Sequence, residues 1–200
     1  HLGALLFRRA AELGDRTFVK LQRGERFEEI SWRDFGARVR GAIFGFYALG
    51  FAKGDRVAIL GENSVEWLCA DMATLAGGFP NVVVSPSLSD NMLRKILNHS
   101  RCRAVLVEGD TGVGRLFNLK GHLPALEQIV VMGQDDSALL DALSFNQLIE
   151  RGQHIAAERL DEILQSVHPN ELATIMYTSG WLNAMAFAIS FSKTVFPVFG

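Results

Sequence analysis

The sequence predicts an α/β fold: a mostly parallel sheet with helices on both faces. Three observations carry that expectation. Short runs of branched apolar residues recur along the chain, at Arg56 to Leu60, Asn81 to Val84, Ala104 to Val107, Gln128 to Met132 and Leu172 to Tyr177. Stretches with the 3.6-residue spacing of an amphipathic helix separate them, and the connections are short and marked by glycine. Strands that alternate with helices in this way pair in parallel through right-handed crossovers.

The elements follow in order. Phe27 to Ile30 has the pattern of a short strand, and Ser31 with Asp34 three residues on forms a capping pair that opens a helix. Phe35, Val39, Ala42, Ile43, Phe46 and Leu49 make one buried stripe, and Gly50 stops it. Gly41 and Gly45 on this helix form a GxxxG, which predicts close backbone packing, with Arg38 and Arg40 beside it arguing against a membrane. After the Lys53-Gly54-Asp55 turn, Arg56 to Leu60 reads as a strand buried on both faces. Asn63 with Glu66 is expected to cap a helix with a stripe of Val65, Leu68, Met72 and Leu75, ended by Gly77 and Gly78. Ser89 caps the next, with Met92, Ile96 and Leu97 facing inward, and a further helical stretch covers Val113 to Leu119. Gly133 to Asn170 is more polar, with Asp135, Asp136 and Asp141 expected on a solvated face. Short helices are expected there near 145–151 and 157–167.

Composition excludes several classes. A formal net charge of -2 with scattered basic residues gives no field for nucleic acid. Cys69 and Cys102 lie in apolar segments without CxxC spacing, which predicts reduced, buried thiols in a cytoplasmic protein. The five histidines lack metal-ligand spacing, so no metal site is expected. The chain opens on His1 without a secretory signal, and the apolar run from Ala184 to Phe191 is too short to span a bilayer, so there is no transmembrane segment in this reading and the chain is expected to be soluble.

The stretch with the most chemical content is Ala173 to Gly180, a strand that runs into Thr178, Ser179 and Gly180. Glycine permits close backbone approach and the hydroxyls add donors, so such a turn can cradle phosphate oxygens, although a plain strand-to-turn exit has the same sequence. Gly109, Gly112 and Gly114 follow a strand and precede a helix, but GxxGxG is the wrong order for a dinucleotide turn, and Glu108 and Asp110 would repel phosphate. Glu62 and Glu66 read as cap and dipole partners rather than as an acid and base pair.

Several stretches, in the right order, resemble the AMP-forming acyl-CoA synthetase (adenylate-forming) family. Ile30 to Phe35 is similar to its "ItYrEL" block. Leu49-Gly50, Lys53 to Leu60, Glu62-Asn63 and Glu66-Trp67 are similar to "LG…kGDrVAiL.eN..eW". Leu75 to Gly78 with Pro86 and Ser87 resembles "LaaGa…yPt", and Glu171 to Gly180 resembles the start of the phosphate loop, "dlAtiiYTSGTTGxPKG". The "LATIMYTSG" form with "GENSVEW" is most similar to the long-chain fatty-acid branch.

The resemblance implies a partial N-terminal lobe of an adenylate-forming enzyme over residues 1–180. In the intact family a fatty-acid carboxylate attacks the α-phosphate of ATP with Mg2+ present, and CoA then displaces AMP. It assigns Thr178, Ser179 and Gly180 to a partial ATP-phosphate loop, with no catalytic residue and no metal ligand in this chain. Peripheral membrane contact stays open for the intact enzyme. After Gly180 the pattern is lost: Trp181 and Leu182 stand where small donors are expected, and the loop lysine is absent. The chain is therefore expected to be an inactive N-terminal fragment that binds no cofactor tightly, with 181–200 as a non-family apolar tail. The rival expectation is a non-catalytic product that binds a partner.

In that tail, large residues at Met185, Phe187, Ile189 and Phe191 alternate with small ones, a period that predicts a strand over 183–192. It is expected to be a poorly accommodated, proline-free edge prone to aggregation, so that deleting 181–200 improves solubility.

Overall fold

The computed structural model describes residues 2–24, 26–133, 142–177, 186–190 and 195–198. Helix α1 (Leu2–Leu13) leads into an antiparallel hairpin of β1 (Thr17–Arg23) and β2 (Arg26–Ser31), and α2 (Trp32–Ala48) follows. The main sheet then forms from β3 (Val57–Leu60), β4 (Asn81–Val84), β5 (Ala104–Glu108), β6 (Gln128–Met132), β7 (Leu143–Ser144), β8 (Leu172–Tyr177), β9 (Ala186–Ser190) and β10 (Val195–Val198). Its helices are α3 (Val65–Gly77), α4 (Asp90–Ser100), α5 (Gly109–Lys120), α6 (Phe145–Arg151) and α7 (Arg159–Ser166). Strand order is β10-β9-β8-β4-β3-β5-β6-β7. The six strands from β8 to β7 are parallel, as expected, and β9 and β10 add in antiparallel fashion.

Alternate residues of the parallel strands feed two cores. On one face Val57, Ile59, Ala104, Leu106, Val130 and Met132 pack against α1, α2, α3, α6 and α7. On the other, Ala58, Leu60, Val82, Val84, Val105, Val107 and Val131 pack against α4 and α5. Strands with both faces covered read as continuous apolar runs, which is why β3 to β6 were visible in the sequence.

The α2 stripe is fully buried from Phe35 to Phe46, and Ser31 caps the helix by accepting the Asp34 amide at 3.0 Å. The Asp34 carboxylate takes the Ser31 hydroxyl at 2.7 Å rather than reaching back to the backbone, so the pair is a cap without the full reciprocal box. In α3 the expectation needs two corrections. The cap is Ser64, whose hydroxyl accepts the Trp67 amide at 3.1 Å, rather than Asn63. The deepest face consists of Cys69, Ala70, Ala73, Thr74 and Ala76, while Leu68 and Met72 are only partly buried. Small residues let α3 lie close to its neighbours, and their small hydrophobicity hides them from a periodicity search.

The predicted tail strand is present as β9, with register from Tyr177↔Ala186 to Leu172↔Ser190. The outermost strand is β10, which contains Pro197, so the edge differs from the proline-free one expected. The pairing of β9 with β8 also departs from the expectation of a poorly accommodated tail. Asp135, Asp136 and Asp141 lie outside the described residues.

Candidate functional site

A parallel sheet directs its strand ends, with their loops, toward one side, and ligands of such sheets bind there. Strand β8 ends at Tyr177, one residue past its last paired position with β4, Val83↔Met176. Thr178, Ser179 and Gly180 follow immediately and lie outside the described residues. What the structure gives is the frame that leads into them.

Tyr177 Oη lies 2.7 Å from His99 Nδ1 on the last turn of α4, with the rings edge to face at 5.8 Å and 83°. Burial pushes the Tyr177 phenol up to about 12, with Ser100 hydrogen bonding pulling the other way. The phenol therefore stays neutral across the physiological range.

Beside β8, the chain leaves β4 through Ser85, Pro86 and Ser87, with the two hydroxyls 2.8 Å apart. Arg115 of α5 clamps this loop: its Nε donates to Asp90 at 2.7 Å, and its two terminal nitrogens donate to the Pro86 carbonyl at 2.9 Å and the Leu88 carbonyl at 2.5 Å. A guanidinium with several fixed acceptors holds backbone geometry better than a single bond can. The turn after β3 is tied to β5 in a similar way, by the Glu62 amide donating to Glu108 Oε2 at 2.9 Å. Sequence reasoning missed His99, Arg115 and Glu108 as framework residues, because these partners are 25 or more positions away and no local motif marks them.

The glycine pattern after β5 does not form a phosphate turn. Gly109 opens α5 at φ 70, and Gly112 and Gly114 lie within the helix. A Cβ on Gly112 would stand 2.5 Å from Val107 Cγ2, so that glycine serves close packing of α5 on its own strand. Glu66 lies in the first turn of α3, 4.0 Å from Arg38, where a carboxylate complements the helix dipole.

At the opposite end of the sheet, Lys53 bonds Glu171 at 2.6 Å and the Ser166 carbonyl at 2.7 Å. Arg103 bridges Asp55 and Glu127 while lying 4.5 Å over the Phe51 ring. These pairs stitch the strand beginnings together and are remote from the predicted loop. Among the described residues no three His, Cys, Asp or Glu side chains come together as a metal-binding group. Nor is any helix among them long and apolar enough to cross a membrane.

Comparison with known proteins bears directly on this frame. Residues 6–180 match the model of the AMP-binding enzyme family. Long-chain-fatty-acid–CoA ligase ACSBG1 of Rattus norvegicus is 28% identical over 169 residues, covering 84% of this chain and 23% of that protein. Long-chain-fatty-acid–CoA ligase FadD15 of Mycobacterium bovis is 28% identical over 153 residues, covering 76% and 24%. The chain thus spans about a quarter of the length of these curated relatives.

Solved structures share the fold. The anthranilate CoA ligase AuaEII in complex with anthranoyl-AMP superimposes with a TM-score of 0.73 at 24% identity, over 94% of this chain and 33% of that one. A long-chain-fatty-acid-CoA ligase, FadD1, from Archaeoglobus fulgidus gives 0.75 at 18%, over 94% and 36%. The strand order, the exit of β8 and the match over 6–180 converge on one assignment: the chain belongs to the AMP-binding enzyme family.

Proposed function

We propose that this chain is the N-terminal part of a cytoplasmic long-chain fatty-acid–CoA ligase, an enzyme that activates a carboxylate with ATP as an acyl-adenylate and passes the acyl group to CoA. The observation that carries the reading is that β8 ends at Tyr177 on the ligand-binding side of a family-matched sheet, and that Thr178, Ser179 and Gly180 come next in the sequence. The fatty-acid ligase relatives support the substrate class. In this reading the three residues contribute backbone and hydroxyl donors to the ATP phosphates, and Arg115 and His99 hold the surrounding chain. Residues 1–180 form the partial domain and 181–200 an apolar tail outside the family pattern.

Three residues without the loop lysine hold the triphosphate weakly, so the chain by itself is expected to be inactive. Fatty-acid-dependent exchange of pyrophosphate into ATP is the assay. The chain alone should give none, and calorimetry should find no micromolar affinity for Mg-ATP. A chimera that carries residues 6–180 in place of the matching segment of the ACSBG1 relative should retain exchange. Thr178→Ala with Ser179→Ala in that chimera should lose about tenfold or more. An inactive but folded chimera would sink the reading.

A non-catalytic, partner-binding product is the second reading. It is favoured by the exposure of Val83 (37%) and Met176 (47%), which lie opposite one another on β4 and β8 as an uncovered apolar pair.

A further inference from the structure

We propose that the cleft beneath the beginnings of β8, β4 and β3 is a binding site for a small aliphatic carboxylate, with Arg56 as the group that meets its charge. This end of the sheet lies opposite the strand ends used by the function proposed above, so the site does not rest on that reading.

Strands β8, β4 and β3 are neighbours in the sheet, and the residues that lead into them line a cleft of about 290 Å³. Lys53, Gly54 and Arg56 precede β3, Gly78 and Pro80 precede β4, and Val167, Glu171 and Leu172 bring the chain into β8. The turns around it are tied to one another. The Gly54 amide donates to the Gly78 carbonyl at 2.8 Å, and the Val57 amide donates to the Pro80 carbonyl at 3.1 Å. Gly78 has φ 73, and a Cβ there would stand 2.7 Å from Lys53 Cγ and 3.1 Å from Val167 Cγ2. The Lys53 stem and Val167 therefore pack on bare backbone, which only glycine provides at this point.

Arg56 is the group in this cleft that lacks a counterpart. Both Glu171 oxygens are engaged, one by Lys53 at 2.6 Å and the other by the His168 amide at 3.1 Å. Asp55 and Glu127 are bridged by Arg103. Carbonyls at the nearby helix ends are also taken, Gly77 by the Tyr47 hydroxyl at 3.1 Å and Ser166 by Lys53 at 2.7 Å. Among the described residues the half-buried Arg56 guanidinium has no hydrogen bond and no ion pair. Its charge favours ionisation of the Cys102 thiol and the Tyr177 phenol, but burial pushes each of them up to about 12, so both are neutral and neither balances it. A guanidinium partly withdrawn from water without an acceptor is costly. A carboxylate is planar and offers two oxygens to two of its N–H groups. Pro80, Val167 and Leu172 give apolar contact to the rest of the ligand, and the volume restricts that part to a short chain.

Butyrate is the probe, titrated into the full chain at constant ionic strength without nucleotide and followed through the amide resonances of Gly54, Gly78, Glu171 and Leu172. These resonances should shift together and saturate with a Kd on the order of 1 mM. Arg56→Gln should weaken binding about tenfold or more, and 1-butanol, which has the same body without the charge, should bind the parent about tenfold more weakly than butyrate. Without ligand, Arg56→Gln should keep the parent's urea midpoint, because the guanidinium gives up no partner. The absence of a saturable shift, undiminished affinity in Arg56→Gln, or 1-butanol equal to butyrate would overturn the proposal. Tighter binding of inorganic phosphate than of butyrate would overturn the ligand class. A urea midpoint clearly lowered by Arg56→Gln would show that the guanidinium already has a partner within the chain, and the proposal would fail on that ground.

Discussion

A methyl group on Gly45 would press on the Leu148 carbonyl, whose carbon lies 2.8 Å from the Cβ position, and one on Gly41 would sit 2.6 Å from Ile149 Cγ2. The GxxxG of α2 is therefore the seat of α6, as its spacing suggested. Gly45→Ala should destabilise the fold by about 3 kcal/mol, the upper part of the overpacking range, because backbone cannot yield as a side chain does. Gly114→Ala meets nothing within 4 Å inside α5 and should stabilise by about 0.5–1 kcal/mol. Urea unfolding of both variants reads the difference in sign. Charge gives a second prediction. Burial alone would raise the Glu171 carboxyl, but Lys53 and the His168 amide outweigh it and hold it below the usual carboxylate value. A carboxyl depressed in the folded state stabilises above its unfolded pKa, and that contribution is lost as pH falls through the folded value. Asp71 has the opposite slope: burial raises it against the Asn81 hydrogen bond, so its penalty fades on acidification. The urea midpoint of Glu171→Gln should therefore fall less steeply than the parent's between about pH 7 and about pH 3. Neither partner was legible in the sequence, because Lys53 and Glu171 are 118 residues apart.

Among the elements, helix starts were read where a hydroxyl stands just before an apolar period, as at Ser31 and Ser89. The short helix near 145–151 was expected without its cap, Ser144, which forms a full capping box with Gln147. At α3 two candidates stand side by side, Asn63 and Ser64, and the sequence pattern favoured the wrong one because Glu66 completes a box with Asn63. Ser64→Ala should cost about 1 kcal/mol and Asn63→Ala far less, with thermal unfolding as the measurement. If the two costs are reversed, the cap assignment fails. Helix α1, which buries only Gly3 and Leu6, and strand β1 went unread. Strand β7 is two residues long, too short for any pattern. Thr178, Ser179 and Gly180 stood out in the sequence as a strand-to-turn exit, and their proposed phosphate-loop role came from resemblance to a family, whereas the contacts of His99, Arg115 and Glu108 exist only once α4, α5 and β5 have packed.

For the molecule as a whole, the parallel order was foreseeable from alternating strands and helices, but the sheet's two margins were not, because edges are set by which strand finds no further partner. One margin is β7, protected by its shortness. The other is β10, where Pro197 removes a backbone donor. The sequence led to the expectation that the tail beyond Gly180 is itself the sticky edge and that deleting it would improve solubility. The pairing argues the reverse. Strand β9 occupies one side of β8 from Leu172 to Tyr177, so truncation after Gly180 would turn β8 into an edge of six residues. The strand so uncovered contains no proline and no charge, and Met176 on it is already 47% exposed, which is the composition that recruits other chains. We therefore expect the chain ending at Gly180 to be less soluble than the full chain when the two are expressed side by side, and charged substitutions at Thr174 or Met176 to recover part of the loss. A truncated chain more soluble than its parent would show that β9 and β10 contribute nothing to the sheet, and the tail would then be the dispensable appendage that its sequence suggests.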